Sequence, residues 1–467
     1  MPLPLRRRPA AALLLLLAAA PLGALASCSI SSGPGEPQTA TTRKTAPPAP
    51  KPDDDDDDAG TAKRAYADMG RTLGTVTSVP IRGRLVMEKG QPDLLASTPQ
   101  KEASQSELKR TPIEIIVLAK EGGDRMTLGA TQSDSEGYIN ATFPLKEGTL
   151  EPGLHTLEVR VKGRPAGRTT ARLLALDFTG LVVRSDVDLT YLDTQFLRKR
   201  DMLRLLGQSA PERTTLPAME RVYPALRAGT SGMEDRPLVF ISGSPRFFKR
   251  VLEGRMTLDG VAQDGLLLKA FDDMAWAKVV ALDLGAVVPA LKEQVGYKLV
   301  HLMNGRFELP PKAGEILLGD DSEADHVVYS IYHRFMAGDL TMDGLEKELV
   351  RAGLDASQRD AVKVLASRLR AMLPPSKVVQ VIYINRTGSP NPHHLVRDWV
   401  VPGLTRYHTG AWPLILDLYE EGLVSKESVA AVRKRLLELG KGEKDLEAAG
   451  NDGVKSGFLK LETLSMR

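Results

Sequence analysis

Short, strongly apolar runs separated by helix-length amphipathic stretches make up most of the chain after Gly180. Continuous apolar runs bounded by turn signals are typical of strands that are buried on both faces of a parallel sheet. The predicted strands lie at residues 181–183, 238–241, 316–318 and 378–384. The predicted helices lie at residues 245–252, 288–303, 324–335, 342–353, 356–372, 412–421 and 425–439. This alternation predicts an α/β domain with a largely parallel sheet and flanking helices.

The stretch before this domain, residues 75–174, has a different pattern. Short β-type runs alternate with Gly, Pro and Asp-rich turns, and the runs lie at residues 79–84, 113–119, 138–143 and 155–161. Such spacing predicts a small antiparallel β-sandwich of the Ig-like kind. We find no catalytic cluster in it, and either positioning of the following domain or partner binding would be compatible with such a module.

The N-terminal segment reads as an export signal followed by a tether. Residues 1–27 combine three arginines with an apolar run that ends in small residues. Leu25-Ala26-Ser27-Cys28 resembles the lipobox of bacterial lipoproteins, which predicts lipidation of Cys28, the only cysteine. Ordinary signal cleavage with an incidental thiol is the alternative. Residues 28–74, rich in Pro, Ser and Thr and carrying six consecutive aspartates, predict a disordered tether. The expected location is the bacterial envelope, lipid-anchored, with the outer membrane favoured because Ser29 follows the cysteine.

The charge balance argues against nucleic acid as a partner. The chain has 62 basic and 59 acidic residues, and three of the arginines lie within residues 1–27. The remainder is therefore neutral, with no global basic field. The sequence leaves the oligomeric state open.

Polar residues follow three of the predicted strands. Asp186 and Asp188 follow the first strand, Ser242-Gly243-Ser244-Pro245 follows the second, and Gly319-Asp320-Asp321 follows the third, with Asp325 one helical turn later. Ligands of an open parallel sheet bind beyond the carboxyl ends of its strands. These residues are therefore the candidate site.

The residue types suit phosphoryl transfer. Asp186 can attack phosphorus to form an aspartyl-phosphate, and Asp188 can act as the general acid and base. Ser242 and Lys298, the latter on the helix before the third strand, are the candidate phosphate binders. Hard carboxylate oxygens predict a magnesium site. Its predicted ligands are Asp186, Asp188, Asp320 and Asp325, with Asp321 as an alternative.

The order of these motifs resembles that of a known superfamily. Asp-x-Asp-x-Thr, a strand ending in Ser, a Lys and Gly-Asp-x4-Asp together look like the four motifs of the haloacid dehalogenase (HAD) phosphatases. Within the HAD superfamily, the chain is similar to the phosphatidate phosphatase catalytic domain known from the fungal actin patch protein and its bacterial relatives. Further shared segments are Ser133-Asp134-Ser135-Glu136-Gly137-Tyr138, residues 265–269 and Tyr297-Lys298-Leu299.

The resemblance implies a HAD-like Rossmannoid domain at residues 178–386, with Asp186 as nucleophile and Asp325 supporting the magnesium ligand Asp320. Residues 387–440 are expected to be a helical extension and residues 441–467 a loosely ordered polar tail. Leu189 departs from the family, which usually has an acid at that position. The resulting hypothesis is a magnesium-dependent phosphatase for phosphatidate or a related phosphomonoester. The alternatives are a phosphatase for soluble esters and an inactive lipoprotein that binds envelope partners.

Overall fold

We describe a computed structural model of the chain. The described residues are 65–87, 93–119, 126–194, 204–269, 294–322, 324–388, 399–455 and 459–460. The predicted signal, Cys28 and the acidic run lie outside them, as does the first part of the helix predicted at residues 288–303. By its contacts the chain divides into Met1–Asp53 and Asp54–Arg467, and every described residue belongs to the second unit. No helix among the described residues is long and apolar enough to cross a membrane.

The first part of this unit is an antiparallel β-domain, as the alternating β-runs predicted. Its strands are β1 (Ala65–Met69), β2 (Thr72–Thr75), β3 (Ser78–Met87), β4 (Ser106–Glu107), β5 (Pro112–Leu118), β6 (Met126–Gln132), β7 (Tyr138–Pro144), β8 (Gly153–Val161) and β9 (Arg164–Leu174). They form one hydrogen-bonded sheet with the main order β1-β3-β2-β9-β8-β5-β6, and β4 and β7 both pair with β3. The pairing of β2 with β9 is parallel. The Ig-like assignment stays a prediction.

The domain begins earlier than the sequence pattern indicated. The prediction of a disordered tether is wrong for residues 65–74, because strand β1 and most of strand β2 lie there. All five residues of β1 pair with β3, from Ala65 opposite Met87 to Met69 opposite Gly83. A strand this short carries little periodic signal of its own, and its pairing with a ten-residue neighbour stabilises it.

The second part is a six-stranded sheet in which every neighbouring pair is parallel. Its strands are β10 (Leu181–Ser185), β11 (Leu238–Pro245), β12 (Gly265–Lys269), β13 (Gly314–Asp320), β14 (Val379–Asn385) and β15 (Thr405–His408). The spatial order is β12-β11-β10-β13-β14-β15. The chain therefore adds strands towards one side of the sheet from β10 to β12 and towards the other side from β13 to β15. This is the doubly wound order whose switch point forms a crevice at the carboxyl edge.

Helices cover both faces of this sheet, and α1 (Pro99–Ala103) lies between β3 and β4 in the chain. The others are α2 (Met219–Ala228), α3 (Lys249–Leu258), α4 (Gln294–Phe307), α5 (Asp325–Ala337), α6 (Met342–Arg351), α7 (Ala356–Met372), α8 (Ala411–Glu420), α9 (Lys426–Glu438) and α10 (Glu443–Lys455). One apolar cluster joins the sheet to α2, α3 and α8–α10, and a second joins its other face to α4–α7. Burial on both faces explains why the strands are continuously apolar.

Three details correct the sequence-based boundaries. The helix predicted to start at residue 245 begins later, because β11 runs through Pro245 and a 3₁₀ turn, Arg246–Phe248, precedes α3. The extension at residues 387–440 is not wholly helical, because β15 adds a sixth strand to the sheet. The loosely ordered tail predicted after Gly440 is wrong for α10, whose Leu446 is buried in the first apolar cluster. A single buried leucine on a polar helix gives little periodic signal.

Candidate active site

Asp186 and Asp320 lie at the switch point of the parallel sheet. Asp186 follows the last residue of β10, and its amide donates a hydrogen bond to the Leu318 carbonyl at 2.9 Å. Asp320 is the last residue of β13. Because these strands are neighbours, the sheet brings both fully buried carboxylates to one edge. The pairing of β10 with β13 therefore explains why two aspartates far apart in the sequence share one site.

Lys298 connects these strands to helix α5. This lysine projects from α4 and is only 1% exposed. Its ammonium nitrogen lies 2.9 Å from Asp186 Oδ1 and 2.6 Å from Asp325 Oδ1. The other oxygen of Asp325 accepts a hydrogen bond of 3.2 Å from the Asp320 amide. Four of the predicted site residues therefore form one connected, buried group.

Three of these carboxylates have the geometry of a metal site. Asp186, Asp320 and Asp325 each offer one oxygen, and these oxygens lie within 4.8 Å of one another. Carboxylate oxygens are the ligands that magnesium prefers. Three buried acids with one neighbouring lysine also carry an excess of negative charge, which a divalent cation would neutralise. The donor set therefore fits the predicted ion. Asp188, also predicted as a ligand, is not one of the three.

The Asp188 carboxylate is instead bound by hydroxyl groups. One oxygen accepts a hydrogen bond from Thr194 Oγ1 at 2.7 Å. The other accepts from Ser242 Oγ at 3.0 Å and from Ser244 Oγ at 2.8 Å. The Ser242 oxygen also accepts from the Ser244 amide at 3.0 Å. Ser242, predicted to bind phosphate, therefore donates a hydrogen bond to Asp188, the predicted acid/base. Ser244 and Thr194 donate to the same carboxylate.

Leu189, which directly follows Asp188, has a strained backbone conformation, and Asn385 forms a hydrogen bond to it. Leu189 has a φ of 55°, in the left-handed region that costs an ordinary side chain roughly 1–2 kcal/mol. Its carbonyl accepts a 2.7 Å hydrogen bond from the Asn385 side-chain amide, and its amide donates to the Leu192 carbonyl at 2.8 Å. Sequence reasoning missed Asn385, although it is the polar residue that ends the apolar run of β14.

Two further contacts organise the end of β13. The Ser322 amide donates to Asp320 Oδ1 at 2.7 Å, and the Ser322 hydroxyl contacts the same oxygen. Asp321 Oδ1 accepts 2.7 Å hydrogen bonds from both the amide and the hydroxyl of Thr387. Asp321 therefore joins this loop to the segment after β14. These hydrogen bonds explain the position of its side chain without a metal ion.

The charged groups around the site act in a water-poor environment. Burial raises the pKa of the Tyr329 phenol well above its usual value, with a further contribution from Asp325. Its hydroxyl donates to the Leu318 carbonyl at 2.8 Å. Burial lowers the pKa of Arg213 to about 10, and the nearby Asp188 opposes this shift. Arg213 stays protonated at neutral pH and places a positive charge near Asp188.

Fold and site together define a doubly wound α/β domain with an acidic, lysine-containing centre, an arrangement suited to phosphoryl transfer. Residues 181–338, about a third of the chain, match the family model described as "Phosphatidate phosphatase APP1, catalytic domain". The resemblance to the phosphatidate phosphatase catalytic domain is confirmed over this range, which contains Asp186, Asp188, Ser242, Lys298, Asp320 and Asp325. The match indicates a phosphatase-type hydrolase.

Comparison with other proteins adds little beyond this match. No curated protein matches the chain. Among solved structures, that of PhoD is 11% identical, with a TM-score of 0.23, over 44% of this chain and 38% of its own. A glycosyl hydrolase family 2 member from Bacteroides cellulosilyticus is 9% identical, with a TM-score of 0.22, over 77% of this chain and 41% of its own. The chain thus spans about two fifths of the length of these proteins.

Proposed function

We propose that the protein is a magnesium-dependent phosphatase of the HAD type that hydrolyses phosphomonoesters through an aspartyl-phosphate on Asp186. The observation that carries the proposal is the buried group of Asp186, Lys298, Asp320 and Asp325 at the switch point. Asp186, Asp320 and Asp325 would hold the ion, and a bound magnesium supplies positive charge that offsets the charge of a phosphate dianion.

In the first step, a carboxylate oxygen of Asp186 attacks phosphorus while the bond from phosphorus to the alcohol oxygen breaks. Protonated Asp188 donates its proton to the departing oxygen, so that a neutral alcohol leaves. The Lys298 ammonium, held by Asp325, stabilises the negative charge next to the nucleophile. On substrate binding the Ser242 hydroxyl turns from Asp188 to a phosphoryl oxygen.

In the second step, water attacks the phosphorus of the aspartyl-phosphate. Ionised Asp188 accepts a proton from that water, the bond from phosphorus to Asp186 breaks, and inorganic phosphate leaves. Hydroxyl groups from Thr194 and Ser244 hold the Asp188 carboxylate in place for both steps. The two aspartates thereby divide the roles of nucleophile and acid/base.

The proposed substrate is phosphatidate or a related phosphomonoester at a bacterial membrane. The family match over residues 181–338 supports the substrate class. The lipobox-like segment that ends at Cys28 supports the location, with lipid chains as the anchor and the outer membrane as the favoured membrane.

Phosphate release is the direct test. Purified full-length protein is assayed on phosphatidate vesicles and on water-soluble phosphate esters, with magnesium and with EDTA. We expect magnesium-dependent release that is greater on the vesicles and that Asp186→Asn lowers by a factor of at least about 10³. Asp360→Asn, which changes an exposed acid on α7, is the matched control and keeps full activity.

Two outcomes would contradict parts of the proposal. Full activity of Asp186→Asn, or activity indifferent to EDTA, would exclude the mechanism. Faster turnover of soluble esters would exclude the lipid substrate alone. The location is tested separately, since Cys28→Ser should move the protein from the membrane fraction to the soluble fraction.

A further inference from the structure

Gln294 lies on the same face of helix α4 as Lys298. The two residues are one helical turn apart, and side chains at positions i and i+4 of a helix lie on one face, with Cβ atoms about 5–6 Å apart. The Lys298 ammonium lies 2.9 Å from the Asp186 carboxylate. Gln294 is only 9% exposed. Helix α4 therefore places a buried carboxamide next to the catalytic lysine.

The carboxamide of Gln294 lies against Gly243, the residue between Ser242 and Ser244. A Cβ atom added at Gly243 would lie 2.7 Å from Gln294 Cδ, 2.8 Å from its Nε2 and 3.0 Å from its Oε1. Normal contacts between non-bonded atoms are about 3.5–4.0 Å, so a side chain at this position would displace the carboxamide. Gly243 does not have a positive φ. The glycine therefore makes room for Gln294 and is not required by the backbone conformation.

The elements on both sides of this contact are held in place. Val295 of α4 and Ile241 of β11 belong to the same buried apolar cluster. The Ser244 amide donates a 3.0 Å hydrogen bond to Ser242 Oγ, which closes the turn around Gly243. The position of the carboxamide thus follows from the packing of α4 against β11.

Lys298 and Ser242 are the residues to which the proposed reaction assigns the transferring phosphoryl group. This group spreads its negative charge over three equatorial oxygens. Lys298 neutralises charge beside the nucleophile, and Ser242 donates to one oxygen. The side chain of Gln294 reaches from the face that carries Lys298 to the turn that carries Ser242. Its Nε2 group has two N–H donors and no charge, so it can bind a further oxygen without forming an ion pair with the aspartates.

We infer that Gln294 is a third phosphoryl-binding residue, whose Nε2 group donates a hydrogen bond to a phosphoryl oxygen beside Gly243. This inference rests on the proposed function and adds a residue to its site. The bound oxygen belongs to the phosphoryl group and not to the alcohol. Gln294 therefore contributes equally to the hydrolysis of every ester that the site accepts.

The first test measures the binding of inorganic phosphate to the full-length protein by calorimetry, with magnesium present. Gln294→Met keeps the length of the side chain and removes its donors, and we expect Kd to rise about 10–100-fold. Gln294→Glu keeps the shape and adds a negative charge, which should weaken binding further. Gln380→Met changes an exposed glutamine near the start of β14 and is the matched control, with Kd unchanged.

Gly243→Ala tests the contact itself. The added methyl should displace the carboxamide, because the end of a glutamine side chain moves more easily than a strand paired on both sides. We expect the same loss of phosphate affinity as in Gln294→Met, and no further loss when the two changes are combined. Gly207→Ala, at a glycine with open space around it, is the control. If Gly243→Ala does not fold, the two Gln294 variants decide the question by themselves.

Kinetics give an independent measurement. Gln294→Met should lower kcat/KM by the same factor, about 10–100-fold, on a water-soluble ester and on phosphatidate vesicles. A factor that differs between the two esters would place Gln294 at the alcohol and overturn the assignment.

The binding data separate this inference from the catalytic proposal. If no ester is hydrolysed but Gln294→Met still weakens phosphate binding, the proposed function fails and the phosphate contact stands. Phosphate affinity equal to that of wild type in Gln294→Met would overturn the contact alone. So would additive losses in the double variant, or a wild-type protein that binds no phosphate.

Discussion

Replacement of Lys298 by methionine is the most informative single change at the site. The ammonium lies 2.9 Å from Asp186 and 2.6 Å from Asp325, with all three side chains buried. At an effective dielectric constant of about 20, each contact corresponds to an attraction of about 6 kcal/mol. Desolvation of the ions offsets several kcal/mol of each. Loss of one partner of a buried pair typically costs about 3–5 kcal/mol, and we expect Lys298→Met to lower the free energy of unfolding by that amount.

The assay is denaturant unfolding in EDTA, so that no metal can replace the missing charge. Lys363→Met is the matched control, because Lys363 lies 2.9 Å from Asp360 on the exposed surface of α7. This control should be nearly neutral, since water and salt screen exposed pairs. Magnesium should stabilise Lys298→Met more than it stabilises wild type. A loss below about 1 kcal/mol in EDTA, or no difference between the metal responses, would refute the charge argument.

Two further predictions concern residues outside the matched segment. Asn385→Ala removes the hydrogen bond to the strained Leu189 carbonyl, and we expect kcat to fall about tenfold with KM little changed, measured on the best ester found. A change in KM alone would contradict this positioning role. Burial lowers the pKa of His408 to about 4, against a value near 6.5 in the unfolded chain. The stabilisation that depends on neutral His408 is therefore fully present above pH 6.5. It is lost as the pH falls towards 4, which lowers the free energy of unfolding by about 3 kcal/mol. His408→Gln should flatten this part of the curve of unfolding free energy against pH, and an unchanged slope would show that His408 is not the titrating group.

The sequence allowed the parallel sheet to be predicted because strands buried on both faces are apolar throughout. The runs before Asp186 and Asp320 became β10 and β13, and the helices at residues 342–353 and 356–372 correspond to α6 and α7. Elements with weak local patterns were missed. Strand β1 depends on its pairing with β3, and helix α10 depends on the burial of Leu446. Their stability comes from partners distant in the chain, which no local window contains.

The sequence by itself determined the chemical groups of the site, namely carboxylates, a lysine and hydroxyls at strand ends, and the order in which they occur. Only the tertiary structure decided their partners. It placed Lys298 between Asp186 and Asp325, and it directed Ser242 and Ser244 to Asp188. The physical reason is that strand order and helix packing set distances between residues far apart in sequence, while residue type sets only what each group can do once it is there.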